Sequence, residues 1–153
     1  MNRIVAFFLV LLLSSCVNSN LVDVNMEIPD NSWTYAKNVR AVVEIKDSST
    51  RYNLFFKVRN TADYRYSNIY VVMRLKGNTL SKSLRHQFQL AKSDGKWLGR
   101  GSGDLYSNTF LLLKDFRFPK TGKYELVVEQ NMRDNPLVGI SDVGLSIESA
   151  AKD

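Results

Sequence analysis

The chain has 153 residues, a length that fits one domain with a sizeable hydrophobic core. It carries 21 lysines and arginines against 15 aspartates and glutamates, for a formal net charge of +6 at pH 7. The basic residues are scattered along the chain, which argues against nucleic-acid binding, although a modest positive charge can favour anionic lipids or an acidic partner. The single cysteine excludes an internal disulfide and a metal site built from several thiolates.

The amino-terminal segment, residues 1–15, has the layout of a secretory signal peptide. A positive charge at Arg3 precedes an apolar run at residues 4–13, and two small serines follow it. The run is about half the roughly 20 residues that a spanning helix needs, so we do not expect it to remain as a membrane anchor. Cys16 stands directly after the serines, and Leu-Ser-Ser-Cys at 13–16 resembles a bacterial lipobox.

In lipoproteins, the sulfur of the lipobox cysteine is alkylated by a diacylglyceryl group, and the chain is then cut before that cysteine. A thiolate is the required nucleophile, and small preceding residues give the processing enzymes access to it. We therefore predict that residues 1–15 are removed and that Cys16 is lipidated. The alternative is an ordinary signal peptide with a chance cysteine at the cut. Two or three acyl chains, at about 0.8 kcal/mol per buried methylene, would anchor the protein stably.

From residue 21 onward, apolar and polar residues alternate in short runs, as in half-buried β-strands. Turn-forming clusters separate these runs about every ten residues, and no convincing helical stripe follows the signal segment. About eight or nine short strands without crossover helices indicate an all-β fold, a single antiparallel β-sandwich over residues 21–148 with a tail at 149–153. The clearest alternating runs lie at residues 39–46, 52–59, 69–76, 84–90, 124–129 and 143–147.

Eight short stretches of the chain each combine turn residues with an aromatic or apolar position. They are Leu-Ser-Ser-Cys at 13–16, Ile-Pro-Asp-Asn-Ser-Trp at 28–33, Tyr-Asn-Leu-Phe at 52–55, Arg-Asn-Thr-Ala-Asp-Tyr at 59–64, Tyr-Ser-Asn-Ile-Tyr at 66–70, Asp-Gly-Lys-Trp-Leu-Gly at 94–99, Phe-Pro-Lys-Thr-Gly-Lys-Tyr at 118–124 and Gly-Ile-Ser-Asp-Val-Gly at 139–144. In this order and spacing, the chain resembles the gliding-motility lipoprotein GldH family of Bacteroidota.

The resemblance implies an outer-membrane-associated lipoprotein of the cell envelope that takes part in gliding motility and type IX secretion. It implies no enzyme activity, no cofactor and no catalytic residues that could be transferred to this chain. The expected partners are the membrane, through the lipid anchor, and other gliding and secretion proteins. Neither a nucleic acid nor a small-molecule substrate is expected.

The residues that follow the lipidation site bear on location. Residues 17–20, Val-Asn-Ser-Asn, complete a short polar tether, 16–20, without the acidic pair that is common in surface-exported lipoproteins of Bacteroidota. The tether also lacks the aspartate that can retain lipoproteins in the inner membrane of other Gram-negative bacteria. We therefore predict an outer-membrane protein that faces the periplasm.

Residue types that often carry catalysis form no recognisable site in the sequence. His86, the only histidine, shares a predicted strand face with Phe88 and has no histidine or cysteine partner for a metal, so a structural role is the simpler interpretation. Gly-Ser-Gly at 101–103 lacks the strand-to-helix context of a nucleophile elbow. No helix follows the glycines of 99–103 to hold a phosphate, and that stretch is predicted to be a loop.

Two pairs of aspartates are further candidates for catalytic residues. Asp94 with Asp104, or Asp134 with Asp142, could serve glycoside hydrolysis only if folding brought them within about 5–10 Å of each other. Each stands beside glycine, asparagine or serine, where aspartate commonly stabilises turns. We therefore expect no enzyme activity and no metal site.

The most informative constellation in the sequence is aromatic and basic. Tyrosine, tryptophan and arginine are enriched at the centres of protein interfaces. Several of them fall in the predicted loops between strands. The candidate partner-binding residues are Trp33, Tyr64, Arg65, Tyr66, Trp97 and Arg100, and the wider constellation includes Tyr35, Arg59, Tyr70 and Tyr106.

Two other interpretations of this constellation remain open. Trp33 and Trp97 could simply close the ends of the sandwich. Aromatic loops on a β-sandwich could also stack on sugar rings, which makes a carbohydrate-binding lipoprotein the alternative function. The leading hypothesis is a non-catalytic binding component of the gliding and secretion machinery.

Overall fold

The structure, a computed structural model, describes residues 20–150. The predicted signal peptide at 1–15, the lipidation site Cys16, the tether up to residue 19 and residues 151–153 of the predicted tail lie outside the described residues. Residues 20–150 form antiparallel strands and one short 3-10 helix, Pro29–Asn31. In this part of the chain, no helix combines the length and the apolar character needed to cross a membrane.

The described residues form eleven strands. These are β1 (Asn20–Glu27), β2 (Ser32–Trp33), β3 (Val39–Ile45), β4 (Tyr52–Thr61), β5 (Asn68–Gly77), β6 (Leu80–Gln89), β7 (Arg100–Ser102), β8 (Leu105–Phe116), β9 (Gly122–Gln130), β10 (Leu137–Val138) and β11 (Ile140–Ser149). One sheet has the order β1-β11-β4-β8-β7, a second has the order β3-β9-β5-β6, and a small third sheet pairs β10 with β2.

The two larger sheets pack against each other through the alternating residues that predicted the strands. In β4, Leu54, Phe56 and Val58 are buried, whereas Phe55 and Lys57 between them remain partly exposed. The same alternation runs along β3, β5 and β9. The predicted all-β class and the antiparallel sandwich are therefore confirmed.

The number of strands is larger than the eight or nine predicted, because three strands are too short to give a periodic signal. Two of them, β2 and β10, have two residues each. The third, β7, lies in the glycine-rich stretch predicted to be a loop. Gly99 lies so close to β8 that a Cβ atom added to it would be 2.7 Å from the Asn108 side chain. Glycine, which has no side chain, permits this close approach of the two backbones.

Stacked aromatic rings link the two sheets in the middle of the core. Phe56 of the five-stranded sheet lies 6.2 Å from Phe88 of the four-stranded sheet, and the Phe88 ring stacks on Phe110 at 4.4 Å. On its other side, Phe56 stacks with Trp33 at 6.2 Å. Trp33 and Phe56 are fully buried, whereas Phe88 and Phe110 are partly buried against them. Full burial of a large apolar side chain contributes about 1.5–3 kcal/mol, so this row stabilises the contact between the sheets.

The sandwich has two ends, which we call the base and the apex. At the base, β1 begins and β11 ends, because Asn20 pairs with Glu148. The connections at the base are residues 46–51, 78–79 and 117–121. The connections at the apex are residues 28–38, 62–67, 90–99, 103–104 and 131–139.

We expect Phe56→Ala to lower the free energy of unfolding by about 3–5 kcal/mol, because it leaves a cavity between the sheets. Phe55→Ala, on the outward face of the same strand, should cost clearly less. Urea unfolding of both purified variants, followed by tryptophan fluorescence, measures the difference. Equal losses in the two variants would contradict the assignment of Phe56 to the core.

Candidate functional site

Four aromatic side chains meet at the apex, and we call them the apex cluster: Tyr64, Tyr66, Trp97 and Tyr106. The Tyr64 ring lies 5.8 Å from Tyr66 and 6.4 Å from Trp97, and Trp97 lies 5.5 Å from Tyr106. The rings come from the connections 62–67 and 90–99 and from the start of β8. Residues far apart in the sequence thus form one continuous aromatic cluster, of which Tyr66, Trp97 and Tyr106 are partly exposed.

Backbone hydrogen bonds fix the two connections that carry the cluster. The carbonyl of Ser67 accepts hydrogen bonds from the amides of Leu90, at 2.7 Å, and Ala91, at 3.0 Å. The amide of Leu98 donates to the carbonyl of Leu90 at 2.8 Å, which closes the turn that presents Trp97. The cluster is therefore held by paired backbone groups, as expected for a preorganised surface.

Tyr64 is the structural centre of the cluster, with only 4% of its surface exposed. Its hydroxyl donates a hydrogen bond to the carbonyl of Asn68 at 2.9 Å, and burial raises the pKa of the phenol well above its ordinary value. Gly139 packs against it with φ +93°, and a Cβ there would lie 2.7 Å from the Cα of Tyr64. Only glycine fits this approach without displacing the connection.

Tyr66 is tied to the neighbouring connection 131–136. Its hydroxyl donates a hydrogen bond to the Asp134 carboxylate at 2.6 Å, and this bond, together with burial, raises the pKa of Tyr66 above its ordinary value. Gln130, with 2% of its surface exposed, donates to the carbonyl of Asp134 and accepts from the amide of Met132, each at 2.9 Å. A buried, hydrogen-bonded glutamine thus holds the loop that orients Tyr66.

Two hollows flank Tyr66 on the surface. One, of about 360 Å³, is lined by Tyr64, Arg65, Tyr66 and Trp97 together with residues of the 90–99 connection. The other, of about 310 Å³, is lined by Tyr66, Tyr70, Arg85, Asn131, Met132 and Arg133. Aromatic rings and guanidinium groups therefore border both hollows, a composition typical of protein-binding sites.

Of the six candidate partner-binding residues, the structure brings four together around one hollow: Tyr64, Arg65, Tyr66 and Trp97. Arg100 is exposed at the start of β7, where it pairs with Ser107, outside that hollow. The prediction that Trp33 contacts a partner is corrected, because Trp33 is fully buried, with 0% of its surface exposed. Its indole N–H donates to the carbonyl of Lys37 at 2.7 Å, and its ring closes the apical end of the core.

The interpretation of tryptophans as end-closing residues therefore applies fully to Trp33 and only in part to Trp97, which is half-buried. Two residues that line the second hollow, Arg85 and Met132, were not among the candidates predicted from the sequence. The guanidinium of Arg85 lies 4.0 Å over the ring of Tyr70, and its Nε donates to Asn131 at 2.7 Å. No local signal predicts this contact, because Arg85 lies in an ordinary alternating strand.

Three of the four carboxylates that could serve hydrolysis, Asp94, Asp134 and Asp142, have structural partners. Asp134 accepts the hydrogen bond from Tyr66, and Asp142 pairs with Arg59 on the outer face of the five-stranded sheet at 2.6 Å. The side chain of Asp94 accepts a hydrogen bond from the amide of Lys96, as turn aspartates do. Within residues 20–150, no group of three or more histidine, cysteine, aspartate or glutamate side chains is arranged to hold a metal.

His86 lies on β6, the edge strand of the four-stranded sheet, where its side chain is partly buried. Its ring stacks on Phe88 at a centroid distance of 5.5 Å and an angle of 7°, and desolvation lowers its pKa. Its Nε2 atom is buried and has no hydrogen-bond partner in the described part of the chain. These features fit a neutral, packed imidazole.

A family model for the GldH lipoproteins matches residues 20–147, which is most of the chain. The chain belongs to the GldH lipoprotein family. It is 33% identical to the gliding motility lipoprotein GldH homolog of Christiangramia forsetii, over 94% of this chain and 92% of that protein. It is 28% identical to the gliding motility lipoprotein GldH of Flavobacterium johnsoniae, over 90% of each chain.

Membership in the GldH family implies a membrane-anchored lipoprotein of the cell envelope that is linked to gliding motility. The family is not a known enzyme family. Among solved structures, the coat protein of tobacco streak virus aligns over 90% of this chain and 91% of its own, with 14% identity and a TM-score of 0.28. That similarity is too low to support a conclusion about fold or function.

The buried imidazole predicts a pH dependence of stability. Because the folded-state pKa of His86 lies below the ordinary 6.5, the unfolded chain binds the proton more readily. Its stabilising contribution is present above about pH 6.5 and is lost as the pH falls through the folded-state pKa. Urea unfolding should therefore show wild type losing stability relative to His86→Phe between pH 7 and pH 5. A constant difference between the two proteins would contradict a desolvated imidazole.

Proposed function

We propose that this GldH-family chain is an outer-membrane lipoprotein that faces the periplasm and acts by binding, as a non-catalytic component of the gliding and type IX secretion machinery. Cys16 holds it on the membrane through acyl chains, and the apex meets another envelope protein. The observation that carries the proposal is the apex cluster at one end of the sandwich. Arginines flank this cluster, and hydrogen bonds hold the connections that carry it.

The position of the apex supports a role in reaching a partner. Cys16 lies four residues before Asn20, where β1 begins at the base. The ten residues of β4 run from the base to the apex and, at about 3.3 Å per residue, span about 30 Å. The aromatic surface is therefore at the end of the domain away from the anchor.

The composition of the apex supports protein recognition. Tyr66 and Trp97 present partly exposed rings whose backbones are already fixed, so little conformational entropy is lost on binding. Arg65 and Arg133 stand beside them and can donate to carboxylates or carbonyls of a partner. Rigid aromatic residues next to arginines are the usual centre of a protein interface.

A glycan-binding function is the second candidate, and one observation favours it. Trp97 and Tyr106 lie side by side at 5.5 Å with their planes tilted by 32°, next to an open hollow. Such a platform can stack on a sugar ring. The two candidates differ in what the apex captures, so they can be separated experimentally.

We expect Trp97→Ala combined with Arg65→Ala to abolish capture of a specific envelope protein by the tagged lipoprotein and to impair gliding where the organism glides. Removing such central interface residues typically costs about 2 kcal/mol or more each. The matched control is Val42→Ala, an exposed apolar position on the outer face of β3. Affinity purification with quantitative mass spectrometry provides the measurement.

Two outcomes would argue against protein binding at the apex. Unchanged capture by the double variant would place the interface elsewhere. Binding on a glycan array that is lost in Trp97→Ala, without loss of any protein partner, would favour the glycan-binding alternative.

The anchor has a separate test. In Cys16→Ala the domain should fold as in wild type, because the packed core lies within residues 20–150. Because cutting at the lipobox follows lipidation of the cysteine, the variant is secreted behind an ordinary cleavable signal peptide in place of residues 1–15. Without acyl chains, the processed protein should leave the membrane fraction, since no other strong membrane anchor is expected. Fractionation followed by a high-salt wash measures the loss. Full retention in the washed membranes would show that lipidation is not the main attachment.

A further inference from the structure

We propose that the base of the sandwich lies directly on the lipid headgroups of the leaflet that holds the anchor, with Arg51 and Arg117 binding lipid phosphate. The inference rests on lipidation of Cys16, which is part of the proposed function. It adds an orientation and a contact surface that lipidation alone does not require. Three features of the base and its surroundings support it.

The first feature is the reach of the tether. Four peptide units separate Cys16 from Asn20, and a fully extended chain covers at most about 3.6 Å per residue. Whatever conformation the tether takes, Asn20 is thus within about 14 Å of the acylated residue. Because β1 begins at Asn20 and runs away from the base, the base is the end held near the bilayer.

The second feature is the difference in charge between the two ends. The base connections contain four basic residues and one acidic residue. The basic residues are Lys46, Arg51, Arg117 and Lys120, and the acidic residue is Asp47. The apex connections contain equal numbers of basic and acidic residues. The basic residues are Lys37, Arg65, Lys92, Lys96 and Arg133, and the acidic residues are Asp30, Asp63, Asp94, Asp104 and Asp134. An anionic leaflet attracts each basic residue near its surface by about 1 kcal/mol, so the base is the favoured end.

The third feature is a hollow at the base that two arginines share. Arg51 and Arg117 line a hollow of about 420 Å³ together with Asp47, Ser49, Thr50, Ser149 and Ala150. Guanidinium groups bind phosphate through two parallel hydrogen bonds, and the hydroxyl of Ser149 beside them can donate a further bond. The hollow therefore matches the chemistry of a phospholipid headgroup.

Within residues 20–150, neither arginine of this hollow takes part in an ion pair. All four ion pairs in the described residues lie on strand faces, between Arg40 and Glu125, Lys57 and Asp23, Arg59 and Asp142, and Arg74 and Glu129. The nearby Asp47 carboxylate already accepts hydrogen bonds from the side chains of Ser49 and Thr50, at 2.7 and 3.0 Å. The positive charge of Arg51 and Arg117 is thus not neutralised by an ion pair within residues 20–150.

Another surface hollow, of about 540 Å³, is a weaker candidate for the membrane contact. It lies on the outer face of the five-stranded sheet, where Lys57 and Arg59 are both paired with aspartates. Docking there would bring Asp23 and Asp142 toward anionic lipids as well. Charge complementarity therefore favours the base.

The experiment uses the acylated protein purified from membranes and reconstituted into vesicles of phosphatidylethanolamine and phosphatidylglycerol. Lipidation consumes the sulfur of Cys16, so an introduced cysteine is the only labelling site. A fluorophore is attached at Thr79→Cys in the base or at Ala36→Cys in the apex, both exposed positions. A lipid with a nitroxide on its headgroup quenches fluorescence only at close range.

We expect the label at position 79 to be quenched several-fold more than the label at position 36. Adding Arg51→Glu and Arg117→Glu should at least halve the quenching at position 79, because the base then repels the leaflet. The matched control, Lys37→Glu with Lys96→Glu, makes the same charge change at the apex and should leave that quenching unchanged. Thermal unfolding of each variant confirms that it is folded.

Equal quenching at the two positions would overturn the orientation. Quenching at position 79 that survives the arginine substitutions would overturn the headgroup contact. Mass spectrometry of the same preparation tests the lipidation of Cys16 separately from the contact between the base and the headgroups. An unmodified Cys16 would refute the proposed lipidation, whereas an acylated protein with an unquenched base would refute only the present inference.

Discussion

The pairing of β1 along the edge of the five-stranded sheet is the constraint on which the rest of the structure depends. Because this strand runs from base to apex, its first residue fixes which end of the sandwich adjoins the tether. Its hydrogen bonds to β11 span the register from Asn20 to Glu27. A covalent lipid anchor attached before β1 would therefore hold the base, and not the apex, near the membrane.

The apex combines rigidity with exposed recognition groups. Tyr64 and Gln130 are buried and hydrogen-bonded, and they hold the connections on which Tyr66 and Trp97 are displayed. A buried polar group without a partner costs about 1–3 kcal/mol, so these satisfied networks favour a single arrangement of the loops. Such preorganisation reduces the conformational entropy that is lost when a surface binds a partner.

Much of the fold could be predicted from the sequence, because period-two alternation in strands such as β3 and β4 directly reflects one buried face. The short strands β2 and β10 could not, since two residues carry no period. The pairing of β7 with β8 was also hidden, because glycines near residue 100 signal a loop as readily as a close approach. Sheet order depends on long-range pairing that no local pattern specifies.

The site was only partly predictable for a related reason. Composition singled out Tyr64, Tyr66 and Trp97, which the fold brings together, but it could not distinguish the partly exposed Tyr66 and Trp97 from Tyr64 and Trp33, which the fold buries. Aromatic residues serve cores and interfaces equally well, and only three-dimensional packing separates the two uses. The contrast in charge between base and apex likewise appears only once the connections are assigned to ends.

The most direct test of the account is site-specific photocrosslinking in living cells, with a benzophenone amino acid in place of Trp97 at the apex or Thr79 at the base. The account predicts a crosslink from position 97 to another envelope protein and none to protein from position 79. Crosslinks to protein from position 79 alone, with none from position 97, would contradict it.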